Sequence, residues 1–180
     1  MIATVNQDTL RHLNFSHYAY GVIDFEKMSY ESSGDQHYFD LASLTKVLTL
    51  GALFAKSPEL FKNPKHLLLL NHQGSLPSWG RLDKKCWKEQ LQGYKITEGP
   101  TVYSDFSSLR LMLEMEKLTG QGLQELSNFY WDKELVFWKE LEDKSLCAPT
   151  GTRNGEVIRG DVHDDNAFTI NEFCSHTGLF

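Results

Sequence analysis

The pattern of apolar and polar positions predicts a chain that mixes short strands with helices. Residues 18–24 are β-branched and aromatic, and 27–32 can return beside them as the second strand of a hairpin. Residues 40–55 predict a helix with apolar side chains nearly all round it. Such a helix is typical of the buried centre of a domain.

Other helices are predicted from residues typical of helix ends rather than from a strong hydrophobic periodicity. Ser104 or Asp105 can cap a helix that ends at Thr119, where Gly120 closes it. Further helices are predicted at 83–92 and 121–131, a turn at 72–77, and an irregular, turn-rich chain from Lys144 onward. Because no repeat or linker interrupts the pattern, residues 1–180 are predicted to form a single domain.

Composition narrows the function classes. The 180 residues are 41% apolar, which is enough for a packed core. The 24 acidic residues outnumber the 18 basic ones. Scattered basic residues and a net charge of −6 disfavour nucleic acid or an anionic membrane as the partner.

Targeting and redox signals are sparse. The first residues lack the basic and apolar regions of a signal peptide, so a cytoplasmic protein is expected, or a periplasmic one if a leader has been removed. The apolar run at 67–70 is too short to span a bilayer. Cys86, Cys147 and Cys174 form no C-x-x-C pair, so neither a disulfide framework nor a zinc ribbon is indicated.

Ser43 and Lys46 are the first candidates for chemistry, because they form an S-x-x-K pattern at a helix start. Residues i and i+3 share a helix face, which brings the lysine over the hydroxyl. Burial against Leu44, Val47 and Leu50 would favour a neutral amine that can accept the serine proton. The alternative interpretation is a capping serine followed by a surface lysine.

Tyr103 is the second candidate, since it precedes a new helix in the string Tyr103-Ser104-Asp105 and could relay a proton. The same Tyr-x-Asp pattern occurs at Tyr38 and Tyr130, so position rather than pattern favours Tyr103. A buried tyrosine beside a helix cap remains the alternative.

A third group could in principle hold a metal, because it combines imidazoles with carboxylates. Its members are His163, Asp164, Asp165, Asn166, Cys174 and His176. No pair has a known ligand spacing, and such turns often hydrogen-bond their own backbone. We therefore expect no metal and no cofactor. His72 is interpreted as a turn histidine rather than a catalytic base.

Several strings in order resemble the β-lactamase-related serine hydrolases, the family of class C β-lactamases, D,D-peptidases and related esterases. The two most specific are FDLASLTK at 39–46 and RGDVHDDNA at 159–167. Supporting strings are LLLNHQGSLP at 68–77, VYSD at 102–105, APT at 148–150 and SHTGLF at 175–180. The resemblance as a whole extends over about residues 18–180.

The resemblance implies an α+β fold in which helices flank an antiparallel sheet beside a helical region. It also implies roles for individual residues. Ser43 attacks a carbonyl, Lys46 and Tyr103 shuttle the proton, and Asp105 contacts substrate or fixes Lys46. The backbone N–H of Ser43 would supply half of the oxyanion hole.

The sequence departs from the family pattern at its end. It stops at Phe180, before the strand that carries the family's K-T-G or H-x-G element. We therefore expect an incomplete sheet, which the remainder of a longer protein, a second chain or a swapped copy would complete. His176, Thr177 and Gly178 resemble H-x-G and are candidate substrate-binding residues, although their context favours the family's earlier loop.

Three functional hypotheses follow. The first is a serine hydrolase that forms an acyl-enzyme with a peptidoglycan peptide, a β-lactam or a small ester. The second is a non-catalytic or partner-dependent binding homologue of the same fold. The third is a metal-dependent hydrolase built around His163 and its neighbours.

Overall fold

The computed structural model describes residues 16–35 and 37–180. Within them the chain forms an α+β arrangement of helices and two small antiparallel sheets, each of two strands. It divides into two compact units, Met1–Tyr38 and Phe39–Phe180. The α+β class is confirmed, whereas a single domain for residues 1–180 stays a prediction.

The first unit contains the predicted hairpin. Strand β1, Ala19–Asp24, pairs antiparallel with β2, Ser29–Gly34, so the second strand begins two residues later than expected. The Asp24 carboxylate accepts hydrogen bonds from the N–H groups of Glu26 and Lys27 and thereby closes the turn.

The second unit contains the helices and a second hairpin. The α-helices are α1 Ala52–Lys56, α2 Pro64–Leu70, α3 Trp87–Gln92, α4 Asp105–Thr119, α5 Leu123–Ser127 and α6 Asp165–Ile170. Short 3-10 turns occupy Ala42–Leu44, Pro58–Phe61, Asn128–Tyr130, Trp138–Glu140 and Lys144–Leu146. Among the described residues, none of these helices has the length and apolar character needed to cross a bilayer.

The predicted helix at 40–55 is irregular and only partly buried. It consists of the 3-10 turn Ala42–Leu44, the π-helix Val47–Gly51 and α1. Leu44 and Val47 are 62% and 64% exposed, so the expectation of a helix buried on every face is wrong. The apolar count overlooked that one face of the segment lines an open cavity.

Threonines occupy part of the inner face of this segment instead. Thr45 and Thr49 are fully buried. The Thr49 hydroxyl has oxygen partners at 2.7 Å on Thr45 and at 3.0 Å on Ser175, both backbone carbonyls. The Leu179 N–H donates to the Thr45 hydroxyl at 3.4 Å. These bonds satisfy polar groups that would otherwise be costly to bury.

Helix α4 confirms the end signals read from the sequence. The Ser104 hydroxyl accepts from the Ser107 N–H at 2.9 Å and donates to the Pro77 carbonyl at 2.6 Å. At the other end, Gly120 adopts a left-handed conformation with φ +73°. The predicted boundaries hold because both ends are encoded by local backbone chemistry.

The expectation of an irregular chain from Lys144 onward is wrong. Strands β3, Pro149–Arg153, and β4, Glu156–Arg159, form an antiparallel hairpin there. Asn154 and Gly155 connect them with φ values of +54° and +85°. An Asn-Gly pair favours this tight hairpin turn, so residues interpreted as loop formers in fact join two strands.

The end of α4 provides a stability test. Gly120→Ala should destabilise the protein by about 1–2 kcal/mol, because a side chain disfavours the left-handed conformation. Gly122→Ala is the matched control, since nothing lies within 4 Å of an added Cβ at either position and Gly122 has φ −68°. Urea unfolding measures both. Equal losses in the two variants would contradict the assignment of Gly120 as a left-handed cap.

Candidate active site

Ser43 lies at an exposed turn whose backbone is strained. The preceding residue, Ala42, has φ +44°, a conformation that non-glycine residues adopt at a cost. Asp40 fixes this turn with both carboxylate oxygens, which accept from the N–H of Ala42 and from the N–H of His163, each at 2.8 Å. The Ser43 hydroxyl is therefore exposed at the surface, on a loop that these hydrogen bonds hold in place.

Lys46 lies one turn beyond Ser43, as the spacing predicted. Its ammonium Nζ donates to Ser43 Oγ at 2.8 Å and to Asp105 Oδ1 at 2.8 Å. The side chain is only 10% exposed. The expected burial against Leu44 and Val47 is wrong, because both are exposed, and polar partners hold the ammonium instead. The interpretation of Lys46 as a surface lysine does not fit this environment.

Tyr103 and Asp105 come to the same place from the start of α4. Asp105 is in the first turn of that helix, and Tyr103 precedes the capping residue. The Tyr103 ring centroid is 4.7 Å from the Lys46 ammonium, a cation–π distance. Tyr103 is 56% exposed, so it is not the buried tyrosine of the alternative interpretation.

A cavity of 620 Å³ opens beside these residues. It is lined by Leu41, Ala42, Ser43, Leu44, Lys46, Val47, Gly51, Leu70, His72 and Tyr103. Its wall is therefore largely apolar, with Ser43, Lys46, His72 and Tyr103 as the polar exceptions. This distribution is usual for small-molecule sites, in which a few polar groups orient a ligand.

His72 is the residue whose place at the site was missed. It does sit in a turn, with φ +56°, but its ring also lies 4.7 Å from the Tyr103 ring. Burial lowers the pKa of His72, and the nearby Lys46 charge lowers it further. The sequence feature that could have indicated this place at the site is the family-like string at 68–77, which contains His72.

Close to Asp105 lie a partly buried carboxylate and a buried imidazole, Asp164 and His176, which the sequence did not connect with it. Side-chain ligand atoms of Asp105, Asp164 and His176 all lie within 4.8 Å of one another. His176 Nε2 is 3.2 Å from Asp164 Oδ1. Burial works to raise the pKa of Asp164, but hydrogen bonds and charge from His176, with the N–H groups of Ala167 and Asn166, outweigh it and lower the pKa.

Other members of the possible metal group have separate partners. Asp165 pairs with Arg153, and the Asn166 side chain bonds the backbone of Gly80 and Leu82. Burial raises the pKa of the Cys174 thiol, which disfavours the thiolate that binds metals. In the remaining cluster a metal would compete with the Lys46 ammonium for Asp105.

His176, Thr177 and Gly178 are buried in the second unit. The Gly178 carbonyl accepts from the Trp138 N–H at 2.9 Å, and a Cβ at Gly178 would lie 3.0 Å from the Trp138 ring. The residues that line the cavity beside Ser43 do not include these three. The segment has the position of a packed loop, and its direct contact with substrate stays a prediction.

Comparison with known proteins identifies the fold. The sequence matches no family model and no curated protein sequence. FmtA from Staphylococcus aureus is similar in structure, with a TM-score of 0.59 and 19% identity over 87% of this chain and 51% of that chain. A class C β-lactamase from Rhodobacter sphaeroides gives a TM-score of 0.61 and 16% identity over 96% of this chain and 59% of that one.

The chain therefore has a β-lactamase-related α+β fold. It spans 51% and 59% of the lengths of these two structures. At this level of identity, the likeness concerns the arrangement of the backbone, and chemistry has to be argued from the site.

The Asp164–His176 pair provides a pH-dependent prediction. Because the folded-state pKa of Asp164 is lowered, its carboxylate stabilises the protein at pH values above the ordinary carboxyl pKa. That contribution is lost as the pH falls through the lowered value. Asp164→Asn keeps a residue that can cap α6 but loses the charge. It should therefore be less stable than wild type at neutral pH, and the difference should shrink in acid.

Urea unfolding at pH 7, 5 and 3 measures this difference. The matched control is Asp165→Asn, which removes an exposed carboxylate from the next position. It should change stability little at any of these pH values. A constant deficit for Asp164→Asn from pH 7 to pH 3 would show that its charge does not contribute to stability.

Proposed function

We propose that this chain carries the nucleophilic part of a serine hydrolase that works through an acyl-enzyme. The observation that carries the proposal is the Lys46 ammonium, bonded at 2.8 Å to both Ser43 Oγ and Asp105 Oδ1. It places a charged donor on an exposed hydroxyl, at the wall of a cavity. An N-capping serine with an unrelated lysine would not need this arrangement.

In the proposed reaction, Ser43 Oγ attacks the carbonyl carbon of an ester or amide. Because the Lys46 ammonium donates to Ser43 Oγ, it first passes one of its own protons to Tyr103, whose hydroxyl proton goes to the departing alcohol or amine. The neutral amine formed in this way accepts the Ser43 hydroxyl proton, and the carbonyl carbon stays bonded to Oγ. Water then attacks this acyl-enzyme, releasing the acid and restoring the serine. The backbone N–H of Ser43 is proposed to stabilise the oxyanion.

Lys46 and Asp105 have different parts in this scheme. The Asp105 carboxylate fixes the ammonium and offsets its charge, and both side chains are largely buried. A lysine held in this way orients the serine, and the adjacent Tyr103 provides a second group for the proton. Asp105 is thus proposed to act by positioning Lys46 rather than by touching substrate.

The largely apolar wall favours a substrate with an apolar group near the carbonyl. Within the proposed class, the candidates are a small ester, a β-lactam or a peptidoglycan peptide. The competing proposal is a homologue that binds such molecules without turnover. Formation of a covalent adduct, rather than binding alone, separates the two proposals.

Ser43→Ala tests the nucleophile. Wild-type protein incubated with a p-nitrophenyl ester or a fluorescent penicillin should gain the mass of one acyl group, and Ser43→Ala should gain none. Its stability should fall by only about 1 kcal/mol, because Ser43 caps no helix and its exposed hydroxyl loses one hydrogen bond, from Lys46. Intact-mass measurement and urea unfolding provide the two readouts.

Ser145→Ala is the control, because Ser145 is an exposed serine in another short turn. It should label as wild type does. An adduct on Ser43→Ala at the wild-type rate would exclude Ser43 as the nucleophile. A wild type that binds the penicillin without any adduct would favour the non-catalytic homologue.

We further propose that the first hairpin pairs with additional strands, supplied by a second copy when this chain is alone. Four large apolar or aromatic side chains on the hairpin are exposed, namely Ile23, Phe25, Met28 and Tyr30. Each such side chain gains about 1.5–3 kcal/mol on full burial. A two-stranded hairpin is also marginal by itself in water, and its open edges favour pairing.

Light scattering coupled to size exclusion tests this association. Wild type should form dimers or larger assemblies, and Ile23→Lys should shift them toward monomer. Val157→Lys is the matched control, since Ile23 and Val157 are 59% and 63% exposed on different hairpins. A wild type that is monomeric at all accessible concentrations would contradict the proposal.

A further inference from the structure

His72 contacts three consecutive residues of the segment that carries Tyr103. Its carbonyl accepts from the Val102 N–H at 2.9 Å. Its ring lies 4.7 Å from the Tyr103 ring at an interplanar angle of 45°. Its Nδ1 accepts from the Ser104 N–H at 3.2 Å. One residue thus touches the segment before, at and after Tyr103.

The turn that presents His72 is itself held firmly. His72 and Ser75 both have left-handed backbones, with φ +56° and +57°. The Gln73 N–H donates to the Leu68 carbonyl at 2.7 Å, and the Gly99 N–H donates to the Gln73 carbonyl at 3.0 Å. A strained turn with this many backbone bonds persists only where its surroundings fix it. His72 is therefore a rigid support.

The Ser104 hydrogen bond defines the ring's chemical form. Because Nδ1 accepts a proton donor, the neutral ring carries its own hydrogen on Nε2. Lys46 and Asp105 are the charged groups that act on the ring, and Lys46 disfavours a second proton. The neutral form keeps the acceptor that holds Ser104, and through it the start of α4.

The position of the exposed Tyr103 ring depends on such a support. More than half of its side chain is exposed, and exposed aromatic side chains sample more than one rotamer. Its ring contacts both the Lys46 ammonium and the His72 ring. Without the His72 ring, the Tyr103 side chain could rotate. Its hydroxyl would then move away from the position at which it can exchange a proton.

We propose that His72 is a positioning residue, which holds the Tyr103 ring against Lys46 and thereby keeps the Tyr103 hydroxyl in reach of the reacting groups at Ser43. This inference rests on the proposed acyl transfer. It assigns His72 no proton to move, since it acts through Tyr103.

A double-mutant cycle on Ser43 acylation tests the coupling between His72 and Tyr103. Tyr103→Phe should slow acylation by a p-nitrophenyl ester by roughly 10²–10⁴-fold. His72→Ala should slow it by about 10- to 100-fold, as expected for a misplaced catalytic group, with little change in KM. The double variant should be no slower than Tyr103→Phe alone, because His72 then has nothing left to position.

His72→Asn provides the rescue variant. Asparagine tolerates a left-handed backbone, and its side-chain oxygen can accept from the Ser104 N–H, but it lacks the ring. It should fold where His72→Ala fails and should recover part of the lost rate. Tyr130→Phe is the control for the cycle, because Tyr130 is 55% exposed and outside the cavity lining. Its effect should simply add to that of His72→Ala.

An NMR readout keeps the inference separate from the proposed activity. In protein with ¹³C-labelled tyrosine rings, the Tyr103 signal is assigned by its loss in Tyr103→Phe. His72→Asn should move that signal toward the random-coil position. An unchanged signal, or effects of His72→Ala and Tyr103→Phe that multiply in the double variant, would overturn the positioning role. A wild type that never acylates would refute the proposed function alone.

Discussion

The ion pair between Lys46 and Asp105 is the interaction on which the candidate site depends. The lysine comes from the irregular segment after Ser43, and the aspartate from the first turn of α4, where a negative charge is favoured by the helix N-terminus. A largely buried ammonium without a counter-charge is costly, so the pair fixes how these two elements meet.

Further charged groups lie close to the Lys46–Asp105 pair. Asp105 lies close both to Lys46 and to the Asp164–His176 pair. Two carboxylates this close repel each other, and Lys46 and His176 are the groups that can offset them. The polar interior beneath the cavity is therefore one connected arrangement, in which a change at any member alters the charge seen by the others.

The features that could be predicted from the sequence are those fixed by neighbours along the chain. The S-x-x-K spacing brought Lys46 to Ser43, and the cap at Ser104 and the glycine at 120 set the ends of α4. The relation of Asp105 to His176 could not be predicted in this way, because it depends on how distant loops pack. The exposure of Val47 was misjudged for the same reason, since apolar content does not tell which face a neighbour covers.

The π-helix at Val47–Gly51 constrains the length of the segment as well as its composition. A regular α-helix turns by about 100° per residue, so the wider π-turn accommodates roughly one extra residue between Lys46 and the buried Leu53. Deleting one residue here would turn one end relative to the other. Either Lys46 would leave Asp105, or Leu53 would leave the core. Over evolutionary time, side chains in this stretch could be exchanged one at a time, whereas a single-residue deletion would have to be matched by a compensating insertion nearby.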